Sequence, residues 1–336
     1  MKPQPKMRYA GAFAVLLALL AVLFVWNVNS GSLHLSVREV AQILLTHSGD
    51  NAVIVWEIRL PRIFAAILLG GALSVSGFLL QTFFANPIAG PFVLGISSGA
   101  KLTVALTMIG ALSCGRVLGS AVMITAAFAG AMLSMGFVLL IAQRVRQMPL
   151  LVVSGVMIGY ICSAVTDFVI TFAEDSNIVN LHNWSRGSFS GMTWENVAVM
   201  AGVTFVSAAA VFLLSKPIGA YQMGETYAKS MGVNVAHLRF FMVILSSILS
   251  GCVAAFAGRF PCWNRGSASD PLAVCRYKTA GADSGLFPGR SVFCLFSDWL
   301  ARTVFAPTEL SISTVTAVFG APVVIFVMMR KHRKST

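Results

Sequence analysis

Charged side chains are scarce in this sequence. They make up 11% of its 336 residues, where a soluble domain carries about 25%. That shortage excludes an ordinary water-soluble globule. Acidic residues are the rarer sign, 12 against 24 Lys and Arg. Few of them fall inside apolar stretches, which argues against a proton relay through buried carboxylates. The six cysteines, Cys114, Cys162, Cys252, Cys262, Cys275 and Cys294, form no CxxC pair and no zinc-ligand spacing. HExxH, Ser/His/Asp and paired-carboxylate arrangements are lacking, so covalent chemistry on a substrate is not expected, nor is a metal or cofactor. The glycines near Lys101 are no phosphate loop either, because Ala100 stands where the glycine before the lysine should be.

What is abundant is apolar: 57% of the chain, in runs of about 20 residues. Each run is long enough to cross a bilayer as a helix, and helices are the default because lipid leaves backbone groups unsatisfied. The runs lie near 10–28, 62–84, 93–112, 117–142, 149–172, 196–214, 238–258, 291–306 and 310–329. The fold class is therefore an all-α polytopic membrane protein, with 1–336 as a single transmembrane domain. The first run is too long for a signal-peptide core and lacks a cleavage site, so it reads as a retained helix. The net charge of +12 gathers beside the runs, at Lys2, Lys6 and Arg8, at Arg144 and Arg146, and at Arg330–Lys334. Such placement suits loops that face anionic lipid, not nucleic acid. It puts the N-terminus in the cytoplasm. Alternation then fails at the other end, because nine spans would leave the basic C-terminal tail outside. The stretch 259–290 is the anomaly, with seven charges at Arg259, Arg265, Asp270, Arg276, Lys278, Asp283 and Arg290.

Several motifs lie in one order along the chain. They are Ile58-Arg-Leu-Pro-Arg62, Gly70-Gly-Ala-Leu73 with Gly77 and Gln81, Asn86-Pro-Ile-Ala-Gly-Pro91, and Leu94-Gly-Ile-Ser-Ser-Gly-Ala100. Further on stand Gly155, Trp184-Ser-Arg-Gly-Ser188, Gly224-Glu225 with Ala228 and Met231-Gly-Val233, Ser297-Asp-Trp-Leu-Ala-Arg302, Glu309-Leu-Ser-Ile312 and Thr314 to Pro322. This pattern resembles the FecCD-type permeases, the membrane subunits of bacterial ABC importers for iron–siderophore, haem or cobalamin-type chelates. The resemblance implies a cobalamin-importer-permease-like bundle of ten transmembrane helices, about nine of them readable here. It implies an inner-membrane protein with both termini cytoplasmic, working as a homodimer in the lipid bilayer. Its partners would be a separate ABC ATPase and a periplasmic substrate-binding protein. The alternative is a proton-coupled secondary transporter, which needs buried carboxylates and an internal repeat that are hard to find here.

The same resemblance suggests sites. Arg59, Arg62 and Arg302 sit at span ends, either as snorkelling anchors or as docking groups for carboxylates of the binding protein. Glu225, Ala228, Gly232 and Val233 would meet the ATPase in the loop 215–239. Gln81, Asn86, Pro87, Pro91, Gly95, Ser97, Ser98 and Gly99 either line the path or serve tight helix packing. Asp167, ionisable inside a span, either faces the path or joins an interhelical hydrogen bond.

The 259–290 stretch departs from the family, which has a Pro-His turn and an eighth helix there. Read one nucleotide out of register, codons compatible with Cys262–Ser269 spell VGIAVPHL, the missing turn. The same shift continued to Arg290 spells an apolar helix, and a tenth span returns the tail to the cytoplasm. Two compensating frameshifts account for both anomalies. Resequencing the coding DNA from the Gly258 codon to the Ser291 codon should recover the shifted frame; reads that confirm the present frame in an uptake-competent strain would remove this reading.

Overall fold

The structure, a computed structural model, describes residues 5–31, 35–49, 51–86, 90–113, 119–144, 148–173, 175–257, 282–304, 306, 308–319 and 322. All regular structure among them is helical. The long helices are α1 (Pro5–Asn29), α3 (Leu60–Phe84), α4 (Ile96–Ser113), α5 (Ser120–Arg144), α6 (Met148–Ile170), α8 (Trp194–Leu213), α11 (Val235–Ala257) and α12 (Ala282–Thr303). Short ones are α2 (Val37–Thr46), α7 (Asp175–Ser185), α9 (Ser215–Gln222) and α10 (Glu225–Ser230). A π-helical turn, Ile54–Arg59, runs into α3, and a 3₁₀ turn, Pro91–Leu94, precedes α4.

Among the described residues, five helical stretches are long and apolar enough to cross a membrane: Ile54–Phe84, Ser120–Ile141, Leu150–Ile170, Trp194–Leu213 and Val235–Ala257. Phe13–Asn29 and Ile96–Ala111 are shorter apolar helices. Every run expected from hydropathy down to residue 258 coincides with one of these. The run expected at 310–329 is helical over 312–319. Two short helices, α2 and α7, lie between the expected spans, too short and too polar to register as apolar runs. Helix α12 also begins at Ala282, inside the anomalous stretch, with Pro288 in its interior. The rest of that stretch, and with it the displaced-frame reading, lies outside the described residues.

The chain forms two compact units, Met1–Val75 with Phe189–Ala208 and Arg265–Thr336, and Ser76–Ser188 with Ala209–Asn264. Helices α3 and α8 each contribute to both. In the first unit α1 packs along α12. Gly70 of α3 lies so near α12 that an added Cβ would sit 2.9 Å from Cys294 Sγ and 3.0 Å from the Arg290 carbonyl. The Ser291 hydroxyl donates to the Ile67 carbonyl at 2.8 Å across the same contact.

In the second unit α4, α5, α6 and α11 pack together. Small residues set their spacing, as expected where lipid offers no hydrophobic drive between helices. A Cβ on Gly99 would sit 2.6 Å from the Gly130 carbonyl, and one on Gly130 would sit 2.4 Å from the Gly99 carbonyl. The Thr103 hydroxyl crosses to the Ala126 carbonyl at 2.7 Å. Between α3 and α11, Ser76 and Ser246 lie with hydroxyl oxygens 2.8 Å apart. Each hydroxyl also reaches the other's carbonyl, at 2.9 and 3.0 Å. Helix α3 ends in a Schellman turn, with the Asn86 amide on the Gln81 carbonyl at 3.1 Å and Ala85 at φ 48°.

These contacts set Gly130 apart from Gly136 on the same helix, where a Cβ would meet nothing within 4 Å. Gly136→Ala should be neutral or stabilising by about 0.5–1 kcal/mol, the usual helix-interior gain. Gly130→Ala should destabilise by about 1–3 kcal/mol, because backbone must move. Thermal unfolding of the detergent-purified variants checks the contrast; equal midpoints would show that α4 and α5 are not held this close.

Candidate functional site

Two polar constellations stand out from the apolar bundle. The first lies in the first unit, where α1 ends, α3 begins and α12 ends. Its centre is Asp298, whose side chain is 0% exposed. Arg62 Nε donates to Asp298 Oδ1 at 3.0 Å, and Nη2 lies 2.9 Å from the same oxygen. Arg62 Nη1 reaches both oxygens of Glu309, at 2.9 and 3.1 Å. Arg302, one turn beyond Asp298 on α12, places Nε 3.2 Å from Asp298 Oδ2. That contact is an ion pair without hydrogen-bond alignment, since neither atom has a bonded partner. Arg302 donates instead to the Asn27 side-chain oxygen and, at 3.3 Å, to the Ser30 carbonyl. Arg59 donates to the Val28 carbonyl at 2.5 Å.

The sequence suggested Arg59, Arg62 and Arg302 as snorkelling anchors at span ends or as docking groups presented to a partner. The structure turns them inward: Arg59 is 4% exposed and Arg62 6%. A bare guanidinium in lipid is costly, so each is folded onto carboxylates or carbonyls of its own chain. Asp298 and Glu309 stood in the sequence motifs but were given no site role there. Asp298 carried the available signal, an acid four residues before Arg302 in an apolar helix. Glu309 remains partly open, with 43% of its side chain exposed.

The second constellation lies in the second unit, at α9, α10 and the start of α11. Arg239 Nε donates to the Tyr221 hydroxyl at 3.1 Å, and its guanidinium carbon lies 5.6 Å from the Tyr221 ring centroid. Arg239 Nη2 donates to Glu225 Oε2 at 2.8 Å, and Lys229 Nζ lies 2.9 Å from Glu225 Oε1. The Lys229 hydrogen bond, and then the Arg239 charge, hold the Glu225 carboxyl below its ordinary range. Gln222 donates to the Thr82 hydroxyl at 3.1 Å, which ties α9 to the end of α3. Two glycines shape the segment. Gly224 opens α10 at φ 125°, and Gly232 closes it at φ 78°, with the Val233 amide on the Ala228 carbonyl at 3.0 Å. Neither conformation suits a side chain.

Of the four residues expected at a partner surface, Ala228 is corrected: it is 0% exposed and packs inward. Gly232 is exposed, while Val233 and Glu225 are half-buried. The exposed apolar groups are ones the sequence reading missed: Met223 at 61%, Tyr227 at 46% and Met231 at 62%. Tyr227 and Met231 share a face at i, i+4, whereas Ala228 lies on another.

The expected path residues divide by burial. Gln81, Pro91, Gly95, Ser97 and Gly99 are buried, Ser98 is half-buried and Asn86 is exposed. Pro87 lies outside the described residues. A Cβ on Gly95, at φ 75°, would meet the Gly155 carbonyl and the Gly159 amide at 3.0 Å, and Ser134 donates to the Gly95 carbonyl at 3.1 Å. For Gly95 and Gly99 the packing role is thus visible in the geometry. Asp167 is exposed on α6, the helix with the least buried span, 17%.

The first constellation invites a paired test. Asp298→Asn removes a carboxylate between two buried guanidinium groups and should cost about 3–5 kcal/mol. Glu309→Gln loosens a half-exposed pair and should cost less than about 1 kcal/mol. Unfolding of both variants in detergent measures this; an equal cost would mean that Asp298 is not the group holding Arg62 and Arg302.

Comparison with known proteins finds a family model, the FecCD transport family, that matches residues 19–261 and 286–330. The unmatched interval falls within the anomalous stretch. The hemin transport system permease protein HmuU of Yersinia pestis is 29% identical, over 95% of this chain and 95% of that protein. The vitamin B12 import system permease protein BtuC of Citrobacter koseri is 32% identical, over 85% of this chain and 86% of that protein. Among solved structures, a chain of a transporter assigned to the metal-chelate type of ABC transporters, in an inward-facing conformation, superposes with a TM-score of 0.79. It is 22% identical and covers 96% of this chain and 99% of that one.

Proposed function

The chain belongs to the FecCD transport family and is a membrane-spanning permease of an ABC importer, and from that premise we propose that its cargo is a metal chelate of the iron–siderophore, haem or cobalamin type. The observation that carries this reading is the similarity, at about the same level, to permeases whose names give hemin and vitamin B12 as cargo. Both cargoes are bulky metal-centred macrocycles. The chain acts as one permease domain and performs no covalent chemistry itself.

Energy comes from a separate ABC ATPase that seats on the α9–α10 segment. Tyr227 and Met231 are the exposed anchors there, and Glu225, Gly232 and Val233 shape the turn that presents them. A periplasmic binding protein docks at the end of the bundle that holds Arg59, Arg62 and Arg302. Glu309, the half-exposed carboxylate on Arg62, is the group such a partner meets first. A second copy completes the path. Helix α6 supports this, because its apolar span is mostly uncovered and Asp167 on it is exposed, where lipid alone would be a poor neighbour. Both termini face the cytoplasm, the side on which the flanking lysines and arginines are favoured.

The test is co-purification of the permease with its cognate ATPase, followed by ATP-driven uptake into proteoliposomes. Tyr227→Ala with Met231→Ala should weaken ATPase association by about 1–2 kcal/mol, roughly tenfold, while membrane insertion stays intact. Uptake that proceeds without any ATPase, driven by a proton gradient, would overturn the reading in favour of secondary transport.

A further inference from the structure

Helix α2 divides its apolar residues between protein and open space. Val40 and Ile43 are buried, at 6% and 3% exposure. On the neighbouring face Val37, Ala41 and Leu45 recur at i, i+4 and i+8, and all three are exposed, Val37 at 61% and Leu45 at 85%. The remaining face carries Arg38, Glu39, Gln42 and Thr46, also exposed. Around the helix the side chains thus change from buried apolar, to exposed apolar, to exposed polar.

The depth of α2 relative to the spans is set by tryptophans. Trp56 Nε1 donates to the Ile43 carbonyl at 3.4 Å, and the Trp56 ring stacks on His47, which caps α2, with centroids 4.1 Å apart. Trp194, the first residue of α8, donates to the Trp56 carbonyl at 2.8 Å. Trp26 and Trp299, in the last turns of α1 and α12, meet edge to face at 5.3 Å. Four tryptophans thus gather at the ends of four helices, α1, α3 with its π-helical turn, α8 and α12, as indoles do at a membrane–water boundary. Helix α2 is bonded to that group through Trp56.

A groove adjoins it. It runs along α1 from Ala21 past Val22, Val25 and Trp26 to Asn29, ends against Leu35 just before α2, and has a volume of about 640 Å³. Its walls are largely apolar, and Asn29 Oδ1 at its polar end is buried with no hydrogen-bond partner among the described residues. Val53 and Ile58, which follow α2 in the chain, are also exposed, at 67% and 57%.

We propose that α2 is an interfacial anchor: its Val37–Leu45 face lies among the phospholipids of one leaflet, and the groove on α1 beside it seats an acyl chain of such a lipid. A helix with a polar face in water and an apolar face at the headgroup boundary has the amphipathic form that membrane surfaces bind. The groove follows the apolar helix α1, so its occupant comes from the bilayer side.

Photo-crosslinking in the full chain tests this. Benzoylphenylalanine is placed at Leu45, at Val25 in the groove, and at Gln42 on the polar face, with Val37 as a second apolar site should Leu45 fail to accumulate. The proteins are reconstituted in nanodiscs of phosphatidylethanolamine and phosphatidylglycerol, irradiated and weighed by mass spectrometry. Adducts of one phospholipid mass at Leu45 or Val37, and at Val25, several-fold above Gln42, are the expected result. Cross-links from Leu45 or Val37 to a second copy or to a docked protein, or lipid adducts no greater than at Gln42, would overturn the proposal.

Discussion

The hydrocarbon core of a bilayer neither donates nor accepts a hydrogen bond. Inside the spans, hydroxyls therefore turn to backbone carbonyls: Ser76 and Ser246 to each other's, Thr103 across to Ala126, Ser291 across to Ile67. The same constraint explains why glycine lies at the closest helix contacts. Where Gly99 and Gly130 face each other, the backbones approach until no Cβ fits, and that approach brings dispersion contacts which apolar side chains facing lipid would not add.

Charge obeys the constraint more severely. Asp298 is fully buried and lies between Arg62 and Arg302. Neither arginine could stay inside an apolar helix end without it, and it could not stay without them. The cluster joins α1, α3, α12 and the residue Glu309 through side chains and carbonyls rather than apolar packing alone. Glu309 differs from the rest because water reaches it, so its bond to Arg62 is the one that salt or a competing carboxylate can loosen at small cost. The α9–α10 segment is built on other terms. Its ion pairs are half-exposed, its shape comes from two glycines with positive φ, and its largest apolar groups point outward. Such a surface has little to hold it closed against a partner.

Much of the architecture was readable beforehand. Runs of about 20 apolar residues have one solution in lipid, so the spans and their order follow from hydropathy with errors of a few residues. The motifs around Arg59–Arg62, Asn86–Gly99 and Gly224–Val233 pointed to the correct family. The short helices α2 and α7 escaped a reading by apolar runs because both are far shorter than a span, although α2 carries a clear amphipathic helical period and α7 only a weak one. The direction of the arginines was not readable either. A basic residue at a span end reads the same whether it reaches outward to water or inward to an acid more than 230 positions away, as Arg62 does to Asp298.

By itself the sequence determined what is additive along the chain: the apolar length of each span and the sign of charge beside it. Those quantities depend on one residue and its immediate neighbours. Only the tertiary structure decided which acid neutralises which base, that Ala228 faces inward while Tyr227 and Met231 face outward, and that half of the apolar face of α2 is left uncovered. Burial and pairing depend on what other helices bring to the same place, and that information is spread over residues far apart in the chain.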